Sequence, residues 1–318
     1  MLYPLVFTPI FKDRIWGGSR LAELFGKAIS SGQTGESWEL SAVPGDVSVV
    51  TSGLLKGKTL SELIATYPEE LLGKRVVERY GATFPLLFKF LDARDDLSIQ
   101  VHPDDNMAQE YHGGFGKTEM WYVLDAEPGA ELIVGFQQET SPEQYLKALE
   151  QSQVVSLLKR YPVEKGDVFF LETGTVHAIG KGTVIAEIQQ TSDITYRIYD
   201  YNRRDAQGQL RELHTDLALK AIHFGVRQPK MQYSKQINHN NQVVQCPYFT
   251  TSYLPLEGEL VLNTDEPVFQ VLMCLEGEFY ITMENQSYAF SKGDTVLVPA
   301  VWSQSRLSGT AELLVVSV

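Results

Sequence analysis

The feature that most limits how this chain can fold is an internal echo. Lys165-Gly166-Asp167-Val168-Phe169-Phe170-Leu171 returns as Lys292-Gly293-Asp294-Thr295-Val296-Leu297-Val298. Each copy then enters a turn, through Thr173-Gly174 or Pro299-Ala300. Each is preceded by an apolar run ending in an acidic Gly turn: Trp121 to Leu124 before Ala126-Glu127-Pro128-Gly129, and Val271 to Leu275 before Glu276-Gly277-Glu278. A unit that recurs in this order predicts two related β modules. Much of the remaining chain consists of short β-branched or aromatic runs broken by Gly, Pro and Asp, such as Thr183 to Ile188. That pattern belongs to an all-β sandwich or barrel.

The order of strand, acidic Gly turn, Gly-Asp and turn resembles the cupin family, a jelly roll whose inward-facing side chains hold a metal. The resemblance implies a mainly β fold of two cupin-type jelly-roll modules with a few helices. The first module, residues 1–230, is expected to be catalytic and metal-binding, with helical elements, and the second to span residues 235–318. Apolar spacing predicts helices from Thr59 to about Tyr80, from Ser141 to about Arg160 and from about Thr215 to His223. Capping boxes open the first two, Thr59 with Glu62 and Ser141 with Gln144, and Pro142 suits a first helical position. The modules differ where chemistry is expected. The first runs Gly174-Thr175-Val176-His177, the second Pro299-Ala300-Val301-Trp302-Ser303-Gln304, and no histidine follows His239. The second module therefore lacks imidazole ligands and is expected to pack or close the site.

A chain of 318 residues, 43% of them hydrophobic, can bury a substantial core without staples. Its two cysteines, Cys246 and Cys274, read as buried apolar residues, and so low a count fits a reducing compartment. The N-terminal run Met1 to Phe7 lacks a basic leader and a small-residue cleavage site. No apolar run approaches the roughly 18 residues of a membrane span. The expectation is a cytoplasmic protein without a membrane partner. A net charge of -13 argues against nucleic acid, whose phosphates are held by clustered Lys and Arg. A small phosphorylated substrate stays open, because charges beyond about 8 Å are largely screened. The sequence makes no assignment of oligomeric state.

In Ser98-Ile99-Gln100-Val101-His102-Pro103, the strand period places Gln100 and His102 on one face, and Pro103 ends the strand. The same period aligns Lys117, Glu119 and Trp121. If that face lines a barrel, the Glu119 carboxylate needs a cationic partner, since burying it unpaired is costly. His177 adds a third donor after the first Gly-Asp strand. Two imidazoles, a carboxylate and an amide oxygen suit Zn²⁺ and leave a position for water or substrate. Taken singly, His102 and His177 read as ordinary hydrogen-bonded histidines, Glu119 as a solvated charge and Gln100 as a surface amide; their joint occurrence in a cupin-like frame favours the ligand reading. His112, in the Gly-rich loop Tyr111 to Gly114, reads as a surface residue, and His214, His223 and His239 receive no role.

Motifs spread over most of the chain resemble those of the type I mannose-6-phosphate isomerases. They are Ile15-Trp16-Gly17-Gly18, Gly35-Glu36-Ser37-Trp38-Glu39, Phe84-Pro85-Leu86-Leu87-Phe88-Lys89, Gln100-Val101-His102-Pro103-Asp104-Asp105, Gly116-Lys117-Thr118-Glu119-Met120-Trp121, Gly174-Thr175-Val176-His177-Ala178 and the run Gln189 to Tyr201. Their order and combination carry the specificity. The resemblance implies a zinc-dependent aldose–ketose isomerase acting on a small phosphorylated sugar through a cis-enediol, with one Zn²⁺ per chain. It makes Gln100, His102, Glu119 and His177 the metal ligands and Arg197 the catalytic arginine. It also implies the short form of the family, without the large helical insertion that longer members carry between the glutamate and the second histidine.

Alternatives stand beside several roles. Without the family match, Arg197 reads as a structural arginine paired with Asp193 or Asp200. Lys117, a metal-bound water and a nearby carboxylate are all candidates to transfer the proton. Lys89, which nearly closes an apolar strand, Lys117 and Arg14 are candidate substrate contacts. Among whole functions, a non-haem iron oxygenase shares the two-histidine, one-carboxylate set and would consume oxygen. A non-catalytic sugar-binding cupin is suggested by the ligand-free second module, since fold does not establish catalysis.

Overall fold

The computed structural model describes residues 2–204, 208–263, 266–284 and 286–318. The echo is reproduced bond for bond. Gly166 and Gly293 both have φ of 91°, a conformation that a β-carbon would strain, and each sends its N–H to the preceding strand, to Val123 O and to Cys274 O, at 2.8 Å. Asp167 and Asp294 each cap the turn with a side-chain oxygen, accepting from the N–H groups of Glu164 and Ser291. The strands Val168–Leu171 and Thr295–Val298 follow.

Strands dominate and form three main sheets. One runs Lys230–Met231, Val168–Leu171, Glu119–Ala126, Thr183–Gln190, Leu86–Ala93, Thr34–Leu40, Ile10–Gly18. A second, facing it, runs Leu158–Pro162, Glu131–Phe136, His177–Ile179, Ile99–Val101, Tyr196–Tyr199. Trp16, Leu91, Trp121, Leu132, Phe169 and Ile179 fill the space between these two. The third sheet is built on the long strands Thr250–Asn263, Gln270–Met283 and Gln304–Ser317.

Period-two alternation explains how the modules join. In Leu86–Ala93, Leu86, Phe88 and Phe90 face the third sheet, while Lys89 and Leu91 face the cavity. In Gln270–Met283, Val271, Met273 and Leu275 meet that shared core, whereas Leu272 and Cys274 point into the second module's own core. The second module therefore packs on the back of the cavity-bearing sheet. The N-terminal strand Leu5–Val6 completes the junction by pairing with Thr295–Val298.

The helices correct the sequence reading in length. Thr59 and Ser141 cap as expected, with both capping boxes formed. The first segment is three short helices, Leu60–Thr66, Pro68–Leu72 and Lys74–Tyr80. Pro68 has no N–H to continue the first, and Gly73, at φ 92°, separates the other two. The second stops at Glu150. Ser152 turns left-handed, a 3-10 turn spans Val154–Leu157, and Leu158–Pro162 then pairs as a strand with Glu131–Phe136. The third runs Thr215–Ala221. Arg20–Phe25 and Asp105–His112 are helices that apolar spacing did not signal, the latter capped by Asp104 on the Met107 N–H. Cys274 is buried as expected; Cys246 is half-buried, and both are unpaired.

Candidate metal centre and active-site cavity

Strand register places two rows of side chains across one cavity. On the larger sheet Trp38, Lys89, Glu187 and Trp121 are successive cross-strand partners. On the facing sheet the row is His177, Gln100 and Arg197. Directly opposed residues share a face, so each row presents its side chains together. The cavity between them has a volume of about 540 Å³, within the usual range for a small-molecule site. Its walls include Arg14, Glu36, Lys89, Gln100, Lys117 and Arg197.

Against Gln100 and Lys117 of this lining, His102, Glu119 and His177 converge, all buried, with one candidate ligand atom from each within 4.8 Å of the others. His102 Nδ1 lies 2.9 Å from the Ile194 carbonyl and His177 Nδ1 2.8 Å from the Thr175 carbonyl. A carbonyl only accepts, so each Nδ1 carries the proton and each Nε2 is left as a lone pair. Those lone pairs face the carboxylate, at 3.6 Å from Glu119 Oε2 and 3.4 Å from Oε1. Glu119 Oε1 is buried with no donor among the described residues. Acceptors aimed at one point repel unless a cation lies among them, so the donor set fits a metal ion. The Gln100 amide is 3.2 Å from His177 Nε2, and turning the amide over would present its oxygen to the same point.

The electrostatics agree. Burial pushes the Glu119 carboxyl up to about 7, against the pull of Lys117. Burial likewise pushes His177 down to about 4 and His102 well below its usual value, which keeps both imidazoles neutral and able to ligate. Burial alone would lower the Lys117 amine, but Glu119 and Glu187 raise it. Its Nζ sits 3.0 Å from Glu119 Oε2 and 3.1 Å from His102 Nε2.

Lys89 is buried, 2.9 Å from Glu187 and 3.9 Å from Glu36, so its charge is already compensated within the wall. Arg14 is more exposed and bonds Glu36 at 2.7 Å. Arg197 makes no ion pair among the described residues. Asp200 is taken by Arg203 and Arg211 instead, which removes the structural pairing with Asp200 that the sequence left open; Asp193 lines the cavity without pairing with Arg197. Arg197 Nη1 donates to the Glu212 carbonyl at 2.8 Å, and its buried Nε has no acceptor among the described residues.

Three participants escaped the sequence reading. Glu187 bonds both Lys89 and the Trp121 indole N–H. Its signal was the one used for Glu119, a charge at an inward strand position. Glu36 lay unassigned within a quoted motif. His214 accepts the Arg197 backbone N–H and returns its own N–H to the Arg197 carbonyl, fixing that residue from both sides; no local pattern announces such a partner. His112, exposed as expected, ends a helix and reaches the Tyr196 hydroxyl at 2.9 Å.

Comparison with known proteins accords with this geometry. The family description "Phosphomannose isomerase type I, catalytic domain" matches residues 5–138, and "Mannose-6-phosphate isomerase, cupin domain" matches residues 239–318. Mannose-6-phosphate isomerase ManA of Bacillus subtilis is 41% identical, with 98% of each chain covered. Mannose-6-phosphate isomerase of Streptococcus mutans is 39% identical over 99% of this chain and 98% of its own. A crystal structure of mannose 6-phosphate isomerase from Bacillus subtilis superposes with a TM-score of 0.92 at 36% identity, covering both chains completely. With relatives aligned from end to end and the two-module cupin architecture shared over its whole length, this chain is a member of the type I phosphomannose isomerase family.

Proposed function

We propose that this isomerase interconverts mannose 6-phosphate and fructose 6-phosphate through a cis-enediol, using one Zn²⁺ per chain. The observation that carries the reading is a cluster of two neutral histidines and a carboxylate set against Gln100 and Lys117 of a cavity whose wall also carries Arg197, an arginine with no counterion among the described residues. Gln100, His102, Glu119 and His177 would hold the ion, which when bound supplies a Lewis acid for a sugar oxygen.

Moving a proton between C2 and C1 builds negative charge on the substrate oxygens, and preorganised donors lower that barrier. Arg197, fixed by His214 and Glu212, offers a guanidinium to this charge. Lys117 holds a proton beside the ligand cluster, raised in pKa by Glu119 and Glu187. Lys89 and Arg14 orient the sugar from the opposite wall, held in turn by Glu187 and Glu36. We further place the enzyme in the cytoplasm, on its two unpaired thiols. An assay coupled to fructose 6-phosphate formation tests the reading: zinc-loaded protein is expected to turn over mannose 6-phosphate, and no conversion would contradict it.

A further inference from the structure

The cationic wall of the cavity is unevenly compensated. Lys89 and Arg14 are matched by Glu187 and Glu36, and Lys117 by Glu119. Arg197 is not matched among the described residues. Its backbone lies beside Gln100, yet its guanidinium ends at the Glu212 carbonyl, so the side chain runs from the ligand cluster out to segment 211–214. There it meets a second arginine of the cavity lining, Arg211, the charged group that most depresses the Arg197 pKa. Arg211 is held by Asp200 at two nitrogens, Nε to Oδ2 at 2.7 Å and Nη2 to Oδ1, which leaves Nη1 free of that clamp. Arg203 Nη2 donates to the same Oδ1. Neighbouring guanidiniums at the edge of a polar cavity are stabilised by a shared anion, and their planar forks suit a phosphoryl group.

We infer that Arg211 is a specificity-determining residue: with Arg197 it seats the phosphate of the sugar, and Asp200 positions it. This rests on the phosphosugar reading above. It also assigns Arg197 to the phosphate end as well as the reacting end of the substrate. Lys89 and Arg14 are left to the sugar hydroxyls.

The test is binding of inorganic phosphate and of mannose 6-phosphate to the metal-loaded full-length protein, followed by ³¹P NMR, with KM and kcat measured alongside. Arg211→Gln is expected to weaken both ligands by about 10- to 100-fold. Its KM should rise by a similar factor, with kcat within about threefold of wild type and an unchanged unfolding midpoint. Arg211→Lys, which keeps the charge, is expected to recover part of the affinity and serves if the glutamine variant folds poorly. Wild-type phosphate affinity in folded Arg211→Gln would overturn the inference, as would a fall in kcat with KM unmoved, the mark of an interaction made only in the transition state. Because phosphate binding does not depend on turnover, protein that binds phosphate through Arg211 yet fails to isomerise mannose 6-phosphate would sink the proposed reaction and leave this seat standing.

Discussion

Two buried carboxylates of one cavity are driven in opposite directions. Glu119 rises to about 7 because burial outweighs Lys117, whereas Glu187 falls to about 2 because Lys89 and Lys117 together outweigh burial. Glu187 is thus a permanent anion that anchors the cationic wall, and Glu119 is a carboxylate whose burial Lys117 alone does not offset. The Glu187 pKa lies below its ordinary 4.5, so its stabilising contribution is complete above about pH 5 and lost as pH falls towards 2. Urea unfolding of wild type and Glu187→Gln should differ clearly at pH 6 and converge near pH 2; a gap independent of pH would contradict this. His177→Ala is expected to lose both bound metal and activity. Arg197→Ala should retain metal while turnover falls by about 10²–10³-fold. Metal analysis beside steady-state kinetics separates the two, and an active Arg197→Ala enzyme would remove the arginine from the mechanism. At this scale the grouping of His102, Glu119 and His177 was legible because donor residues at strand positions recur within a cupin-like frame. Glu187 and His214 were not, since their meaning lies in cross-strand partners far away in sequence.

At the scale of elements, local chemistry announced where the helices Leu60–Thr66 and Pro142–Glu150 begin but not where they end. Thr59 and Ser141 carry their capping boxes as written, because a cap is satisfied within three residues. The stop at Glu150 comes from outside the helix: Leu158–Pro162 bonds to Glu131–Phe136, and that sheet pairing competes with further helix. Helix Pro142–Glu150 buries Tyr145 and Ala148, and Tyr145 joins Ile133, Phe136 and Ala178 of the smaller cavity sheet in one core cluster. Ser141→Ala should lower stability by about 1 kcal/mol in denaturant titration with metal affinity unchanged; no loss would mean that the cap is redundant with this packing. The Gly-Asp echo was the most informative element signal, since both copies fold with the same hydrogen bonds.

Across the whole molecule, we propose that the second module supports rather than reacts. The lining of the cavity comes from residues between Asp13 and Arg211, while Val271, Met273, Leu297 and Leu314 cover the back of the sheet that carries Lys89 and Glu187. We propose residues 1–230 and 235–318 as the two units, with a core shared between Phe88, Phe90, Tyr122 and these residues. Residues 1–230 produced alone should therefore expose that apolar face and fail to unfold cooperatively; a soluble, metal-binding fragment with a sharp transition would show the modules to be independent. Two related modules were readable from the repeat. Their back-to-back packing was not, because strands buried on both faces look alike whichever face meets the partner.

The most direct test follows mannose 6-phosphate by NMR in D₂O with the full-length protein, beside a chelator-treated sample. The account predicts conversion to fructose 6-phosphate with deuterium uptake, abolished by chelation and restored by Zn²⁺. Conversion that survives complete removal of metal would contradict it.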